Sequence, residues 1–365
     1  MKIAVVINRY GLIGGAENFA FELAERLTRL NGFNVHVFAN QWRNGSSPIT
    51  FHKIPSFRFP RCFRPINFAY YVKRMIQAEA FDVVHSHERI LAMDLMTLHG
   101  IPHSTWIRET KRKRLSLFDR TTAWVEQEGI RNNGLPIIMP VSNMVKEEYL
   151  KLYDIPESNI HVIHPGVDLN RFSVPERAAC RKEIRERYGL SEEDVVVLFV
   201  GMNFEIKRLD LVLKGVAALA AKRNKEVRLL VVGKGNVRRY SSMARDLGIS
   251  RRVIFGGVVR EVEKYYMACD ILAMPSKYET FGLVVLEAMA AGLPVIISGR
   301  VGARDIITSG HNGMILPNHP NASDMTEALS LLLDPAKRNK LGENAQKEAL
   351  KHNWDSVVQK MVQLY

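Results

Sequence analysis

The stretch ILAMPSKYETFGLVVLEAMAAGLPVII, residues 271–297, holds a strand, a loop, a helix and a second strand in one run. Ile271 to Met274 is a short apolar segment that Pro275 stops. From Leu283 to Ala291 the chain is apolar at helical spacing until Gly292 and Pro294 end it, and Val295 to Ile297 is β-rich again. Two strands joined through a helix are expected to lie parallel, because parallel neighbours need a helical crossover. The pattern repeats on both sides: Val195 to Val200, Val227 to Val232 and Val253 to Phe255 precede it, and Met314 to Leu316 follows. Each run is closed by a glycine or proline signal, and most are separated by a helix-length segment. The first half alternates in the same way, from Ile3 to Ile7, Ala16 to Leu30 and Val35 to Phe38 through Val83-Val84, Leu95 to Leu98, Ile137 to Met139 and His161 to Ile163. Within it, Phe19, Ala20, Leu23, Ala24, Leu27 and Leu30 make one apolar helical stripe, and Gly32 stands where a C-terminal glycine belongs. The fold expectation is α/β, with two parallel-sheet domains in tandem separated by the charged stretch Arg177 to Asp194. Ligands in such sheets bind beyond the carboxyl ends of the strands, so two facing sheets would make a cleft.

The 365 residues, 47% of them hydrophobic, suffice for two cores. Ile3 to Ile7 is too short for a signal-peptide core or a membrane span, and Cys62, Cys180 and Cys269 show no paired spacing for a disulfide framework or a zinc site. A cytoplasmic protein is expected. The formal charge of +13 favours polyanions in general. Locally, Arg58, Arg61 and Arg64 alternate with Phe57, Phe59 and Phe63, and Lys111 to Arg114 follows Trp106, Ile107 and Arg108. Cations beside bulky apolar side chains suit an anionic membrane surface, where rings enter the headgroup region and charges meet lipid phosphate; solvated loops are the plainer alternative.

Glu279 and Glu287 flank the start of the helix in residues 271–297. The first N–H groups of a helix have no internal partner, and Gly282 allows a ligand close to the backbone, so a phosphate can sit there. Two carboxylates would repel that phosphate and are better matched to hydroxyl groups on either side of it, as in a sugar-nucleotide. The residues around Glu287 are almost all apolar, leaving no polar face for a spectator carboxylate. Gly11 to Gly15 opens a helix after a strand and serves either an anion or a tight turn. It is not the glycine pattern of dinucleotide sites, and Phe38-Ala39-Asn40 offers no acidic group for a ribose, which disfavours a dehydrogenase. Gly233-Lys234-Gly235 is a second glycine turn with a cation.

These motifs together resemble the family 4 glycosyltransferases of the GT-B fold, the group that includes the glucosyltransferase of the lipopolysaccharide core. The resemblance rests most on Glu279 to Pro294, with Gly14 to Glu17, Thr97 to Gly100, His164 to Asp168 and Gly302 through Gly313 in support. It implies two facing Rossmann-like domains with an interdomain cleft: residues 1–170, binding the acceptor and completed by a C-terminal helix at 353–365, and residues 171–352, binding a nucleotide-sugar donor. It further implies a retaining hexosyltransferase using a UDP-glucose type donor and no metal or cofactor. The acceptor would be a lipid-linked or lipopolysaccharide-core saccharide at the inner membrane face; no nucleic acid is expected. On this resemblance Lys207 meets the donor phosphate and His99 the donor hexose. Glu279 contacts hexose hydroxyls with the amides of Phe281, Gly282 and Leu283, and Glu287 holds the ribose. Gly14 and Gly15 lie near the phosphates, and Arg208 is a second donor cation. Met202 and Ile206 depart from the pattern, since arginine is common at either position, which bears on phosphate affinity. A sugar-nucleotide epimerase or hydrolase on the same fold, and a catalytically silent sugar-nucleotide binding module, remain as alternatives.

Overall fold

The computed structural model describes the chain apart from residues 13, 44, 46–47, 56–59, 111–113, 132–133, 173–176 and 222–226 and the side chain of residue 110. The chain divides into two compact units, one formed by Met1–Gly166 with Trp354–Tyr365 and the other by Val167–Asn353.

The first unit is built on six parallel strands: β1 (Lys2–Val6), β2 (Asn34–Ala39), β3 (Thr50–Lys53), β4 (Val83–Ser86), β5 (Leu95–Leu98) and β6 (Ile137–Pro140). Their order is β3-β2-β1-β4-β5-β6, a doubly wound sheet whose direction reverses between β1 and β4. Ile3 to Val6 are fully buried, which explains why this central strand reads as a continuous apolar run instead of an alternating one. Helix α1 (Gly15–Leu27) buries Phe19, Ala20, Leu23, Ala24 and Leu27. Leu30, expected to extend that stripe, lies past the helix end and is 40% exposed. The C-terminal helix Trp354–Val362 packs its buried Trp354, Val357, Val358 and Met361 into the same core, with the Trp354 ring edge-on to Phe19 at 5.1 Å. The run His161 to Ile163 forms no strand of its own, although His161 and Ile163 donate to the carbonyls of Ile138 and Pro140 at the sheet edge. Helices α2 (Arg64–Gln77) and α3 (Leu117–Arg131) complete the part of this unit that matters below.

The second unit repeats the plan with β7 (Val195–Gly201), β8 (Val227–Gly233), β9 (Val253–Gly257), β10 (Ile271–Met274), β11 (Val295–Ser298) and β12 (Gly313–Leu316) in the order β9-β8-β7-β10-β11-β12. The stretch at 271–297 folds as expected: β10 runs through α4 (Leu283–Ala290) into β11, which pairs parallel to it from Leu272↔Val295 to Met274↔Ile297. Here the winding direction reverses between β7 and β10. That places the loop after each of these strands at one point beyond the sheet's carboxyl edge. Among the described residues no helix is long and apolar enough to cross a membrane.

Candidate functional site

The loop after β7 carries Lys207 and the loop after β10 carries Glu279. The two loops are tied by the Lys277 amide donating to the Ile206 carbonyl at 2.7 Å. This brings Lys207 Nζ into direct contact with Glu279 Oε2, with Met274 Sδ 3.7 Å from the same nitrogen. The side chains are 16% and 21% exposed. Burial pushes the Lys207 ammonium down to about 8, which leaves it charged at neutral pH. The Glu279 backbone is fixed on both sides, its amide donating to Arg300 O at 3.0 Å and its carbonyl accepting from Gly302 at 2.9 Å. The Phe281 carbonyl accepts from Ala303 at 2.8 Å.

Gly282 caps α4 with φ 97°, a left-handed conformation that a side chain disfavours, and no side chain caps the helix there. A Cβ at this position would sit 3.0 Å from Met274 Cε and 3.1 Å from Glu279 Cγ. Leu283 is the first helical residue, and its turn directs amide groups outward at the positive end of the helix dipole. Further along α4, Glu287 Oε2 accepts from the Tyr266 hydroxyl at 2.9 Å, and Oε1 lies 4.0 Å from Arg171 Nη1. Burial raises the Glu287 carboxyl above its ordinary range, against the opposing effects of Tyr266 and Arg171. A cavity of about 350 Å3 at the switch point is lined by Lys207 and Glu287 among aliphatic walls that include Val258, Val259 and Val284. Met202 and Gly233 line the same cavity, the first at the position where the resemblance led to arginine.

Arg208, expected beside Lys207, is held elsewhere. With φ 59° it makes a two-armed ion pair with Asp210, Nε to Oδ1 at 3.0 Å and Nη2 to Oδ2 at 3.1 Å. Lys207 is therefore the lysine or arginine that lines this cavity among the described residues. Arg171, Tyr266 and Met274 belong to the site but carried no sequence signal, since each reaches it from another element.

In the first unit, His99 follows β5 and its Nε2 lies 2.9 Å from His87 Nδ1. His87 stacks on His85, and His85 in turn lies 2.7 Å from both Thr97 Oγ1 and Tyr365 Oη. Burial drives His99 down to about 3, so its ring is neutral, and His87 is lowered for the same reason. His85 and His87, which precede His99 in sequence, thus form one chain with it, while His103 pairs with Asp119. Gly14 caps α1 with φ 153°, and a Cβ there would collide with Glu17 Oε2 at 1.9 Å. Gly15 is the first residue of the helix.

Sequence spacing shows no metal cluster, yet the fold gathers ligand-type atoms of His36, His52 and Glu79 within 4.8 Å of one another. Lys2 Nζ donates to Glu79 Oε1 at 2.6 Å and gives that carboxylate its counter-ion. Of the expected membrane-facing segments, Phe57 to Phe59 and Lys111 to Lys113 lie outside the described residues. Phe63 is 50% exposed, whereas Ile107 is buried.

Residues 13–171 match Glycosyltransferase Family 4, and residues 180–348 match the group 1 glycosyl transferases. A D-inositol 3-phosphate glycosyltransferase of Corynebacterium kroppenstedtii is 32% identical over 305 residues, spanning 78% of this chain and 67% of that protein. Among solved structures, WaaG, a glycosyltransferase involved in lipopolysaccharide biosynthesis, superposes with a TM-score of 0.83 at 22% identity, covering 99% of each chain. Anabaena Alr3699/HepE in complex with UDP and glucose gives 0.76 at 18% identity, covering 100% of this chain and 98% of that one. At these identities the two structures speak for the fold alone.

Proposed function

The chain belongs to the family 4 and group 1 glycosyltransferases and has the GT-B fold, and from that premise we propose a retaining, metal-independent hexosyltransferase with a UDP-sugar donor. The observation that carries the donor reading is the cluster at the start of α4: Lys207 in contact with Glu279, beside the unblocked turn at Gly282, with Glu287 on the same helix. The diphosphate is the group that an ammonium and helix amides stabilise, and in a site of low exposure each such contact counts for more than in water. Glu287 accepts the ribose hydroxyls, and the valine walls take the faces of the base. Glu279 accepts from the hexose. As the sugar–phosphate bond breaks, charge grows on the leaving diphosphate, and Lys207 meets it. The acceptor oxygen forms the new bond to the sugar, and its proton departs with the nucleoside diphosphate. His99, being neutral, donates or accepts at a hexose hydroxyl without opposing positive charge on the sugar.

Relatives support this assignment by name: one is a D-inositol 3-phosphate glycosyltransferase, and the Anabaena structure holds UDP and glucose. The acceptor in our reading is a lipid-linked or lipopolysaccharide-core saccharide at the inner membrane face, served by residues 1–166, while residues 167–353 bind the donor. Two measurements test it. A melting-temperature screen of nucleotide diphosphates and their sugars should show stabilisation by UDP-sugars, since a bound donor raises stability by mass action. Incubation with donor alone should leave it intact; fast turnover without acceptor would point to a hydrolase or epimerase instead. For the membrane, neutralising Lys111 to Arg114 should weaken binding to anionic vesicles by about 1 kcal/mol per charge, and unchanged binding would count against it.

A further inference from the structure

At the β2-β3 edge of its sheet the first unit gathers side chains that sugar transfer does not use. His36 lies in β2 and His52 in β3, where His52 stands opposite Phe38 in the parallel register. Residues two apart on a strand share a face, so His36 and Phe38 point to the side that His52 occupies. His52 stacks on Phe38 at 4.3 Å and on His36 at 5.1 Å, and the Phe81 ring stands edge-on to His36 and Phe38 at 5.2 and 5.6 Å. Glu79 reaches the two rings from the turn after α2. None of the three lines the cavity at Lys207 or belongs to the chain of His85, His87 and His99.

Hydrogen bonding within the protein does not account for these rings. His36 Nδ1 lies 2.8 Å from His52 Nε2, a separation at which two ring nitrogens must be bridged by a proton or a metal ion. Whichever tautomer His36 takes, its Nε2 is left buried with no partner among the described residues, on a residue only 6% exposed. Such an orphan is costly and asks for a reason. Glu79 gives one oxygen, Oε1, to Lys2 Nζ. One ligand atom from each of His36, His52 and Glu79 falls within 4.8 Å of the other two. Burial lowers both imidazoles from their ordinary value, favouring the neutral form that a metal takes up. Two imidazoles and a carboxylate are a donor set for zinc and its neighbours, with bonds of about 2.0–2.2 Å. Two such nitrogens on one tetrahedral ion stand about 3.3 Å apart, so the rings need to part by only about half an ångström.

We propose that His36, His52 and Glu79 bind a divalent ion of the zinc class, with water completing a tetrahedral set, and that the ion staples the edge strand β3 and the turn after α2 to β2. The ion takes no part in sugar transfer, and the inference is independent of the donor reading. Lys2 competes with it for Glu79, through an ion pair whose side chains are 29% and 39% exposed. Calorimetric titration of Zn2+ into the chelator-treated full chain should show one saturable equivalent. The melting temperature should rise with Zn2+ and fall back when EDTA removes it. His52→Gln and Glu79→Gln, both at partly exposed positions, should each weaken Zn2+ binding at least about tenfold. Lys2→Met should tighten it by up to about fivefold, the weight of such an ion pair, and a variant that gains affinity is not a folding artefact. Donor affinity should be the same in all of these chains. Absence of a saturable Zn2+ equivalent in the wild type, or full retention of binding in either Gln variant, would overturn the proposal. Unchanged or weaker binding in Lys2→Met would overturn the place of Glu79 in the set.

Discussion

Removing Lys207 tests the donor reading most directly, because this ammonium faces both the neighbouring carboxylate and the incoming diphosphate. With side chains 16% and 21% exposed, Lys207 and Glu279 are partly shielded from water. A unit charge pair at about 4 Å and an effective dielectric constant of about 20 interacts by roughly 4 kcal/mol, and part of that is offset by desolvation. Lys207→Met should therefore cost about 3 kcal/mol at the transition state, a fall of roughly 150-fold in kcat/KM for the donor. Some of this loss arises because Glu279 is left unpaired against the phosphate. In Lys207→Met/Glu279→Gln that repulsion is gone, so the double variant should be about 1 kcal/mol better than the sum of the two single losses. The alkaline limb offers an independent check. Burial sets the Lys207 ammonium to about 8, and above that pH the free enzyme loses its phosphate cation, so kcat/KM should decline; Lys207→Arg should carry the decline to higher pH. Stability moves the other way. The folded value lies below the unfolded value of about 10.4, so between the two the unfolded chain binds more protons, and this residue's contribution to stability rises with pH. Steady-state kinetics from pH 6 to 10, with thermal melts alongside, separate the two effects. A fall of less than about threefold in Lys207→Met with intact melting, or strict additivity in the cycle, would refute the reasoning.

Three further outcomes follow from the same geometry. Glu287→Gln should weaken donor binding by roughly 10- to 100-fold in calorimetry, the range for a hydrogen bond to a charged group. Because the folded Glu287 carboxyl lies above its unfolded value, its favourable contribution to stability is complete below the unfolded value of about 4.3 and is lost as pH rises through the folded one; the Gln variant should flatten that dependence in melting curves. Gly282→Ala places a side chain at φ 97° and 3.0 Å from Met274 Cε, and chemical denaturation should show a loss of about 1–2 kcal/mol together with weaker donor binding. His87→Ala frees the His99 ring, which His87 holds at 2.9 Å, so kcat should fall while donor affinity is kept, and His87→Gln, which can still bond to the ring nitrogen, should recover part of it.

Much of this protein was legible from neighbours in the chain. Periodicity and glycine and proline stops marked β10, α4 and β11, and they placed Gly282 at the helix start with Glu279 before it and Glu287 within it. These features depend on backbone geometry within a few residues, which local sequence dictates. Leu30 and the His161 to Ile163 run show the limit of the same signals: an apolar stripe outlasted its helix, and a β-rich run found only an edge contact. The partners of the site residues were decided by the tertiary fold. Lys207 and Glu279 are 72 residues apart and meet because the sheet winds outward from β7 in one direction and then returns to lay β10 beside it. Arg208 sits next to Lys207 in the chain, yet its backbone turns it to Asp210. Tyr266 and Arg171 reach Glu287, and His52 and Glu79 reach His36, from elements that no periodicity links to those sites. Sequence specifies which strands and helices form, whereas the order in which strands pair fixes which side chains share a charge, and that order is set by packing over the whole domain.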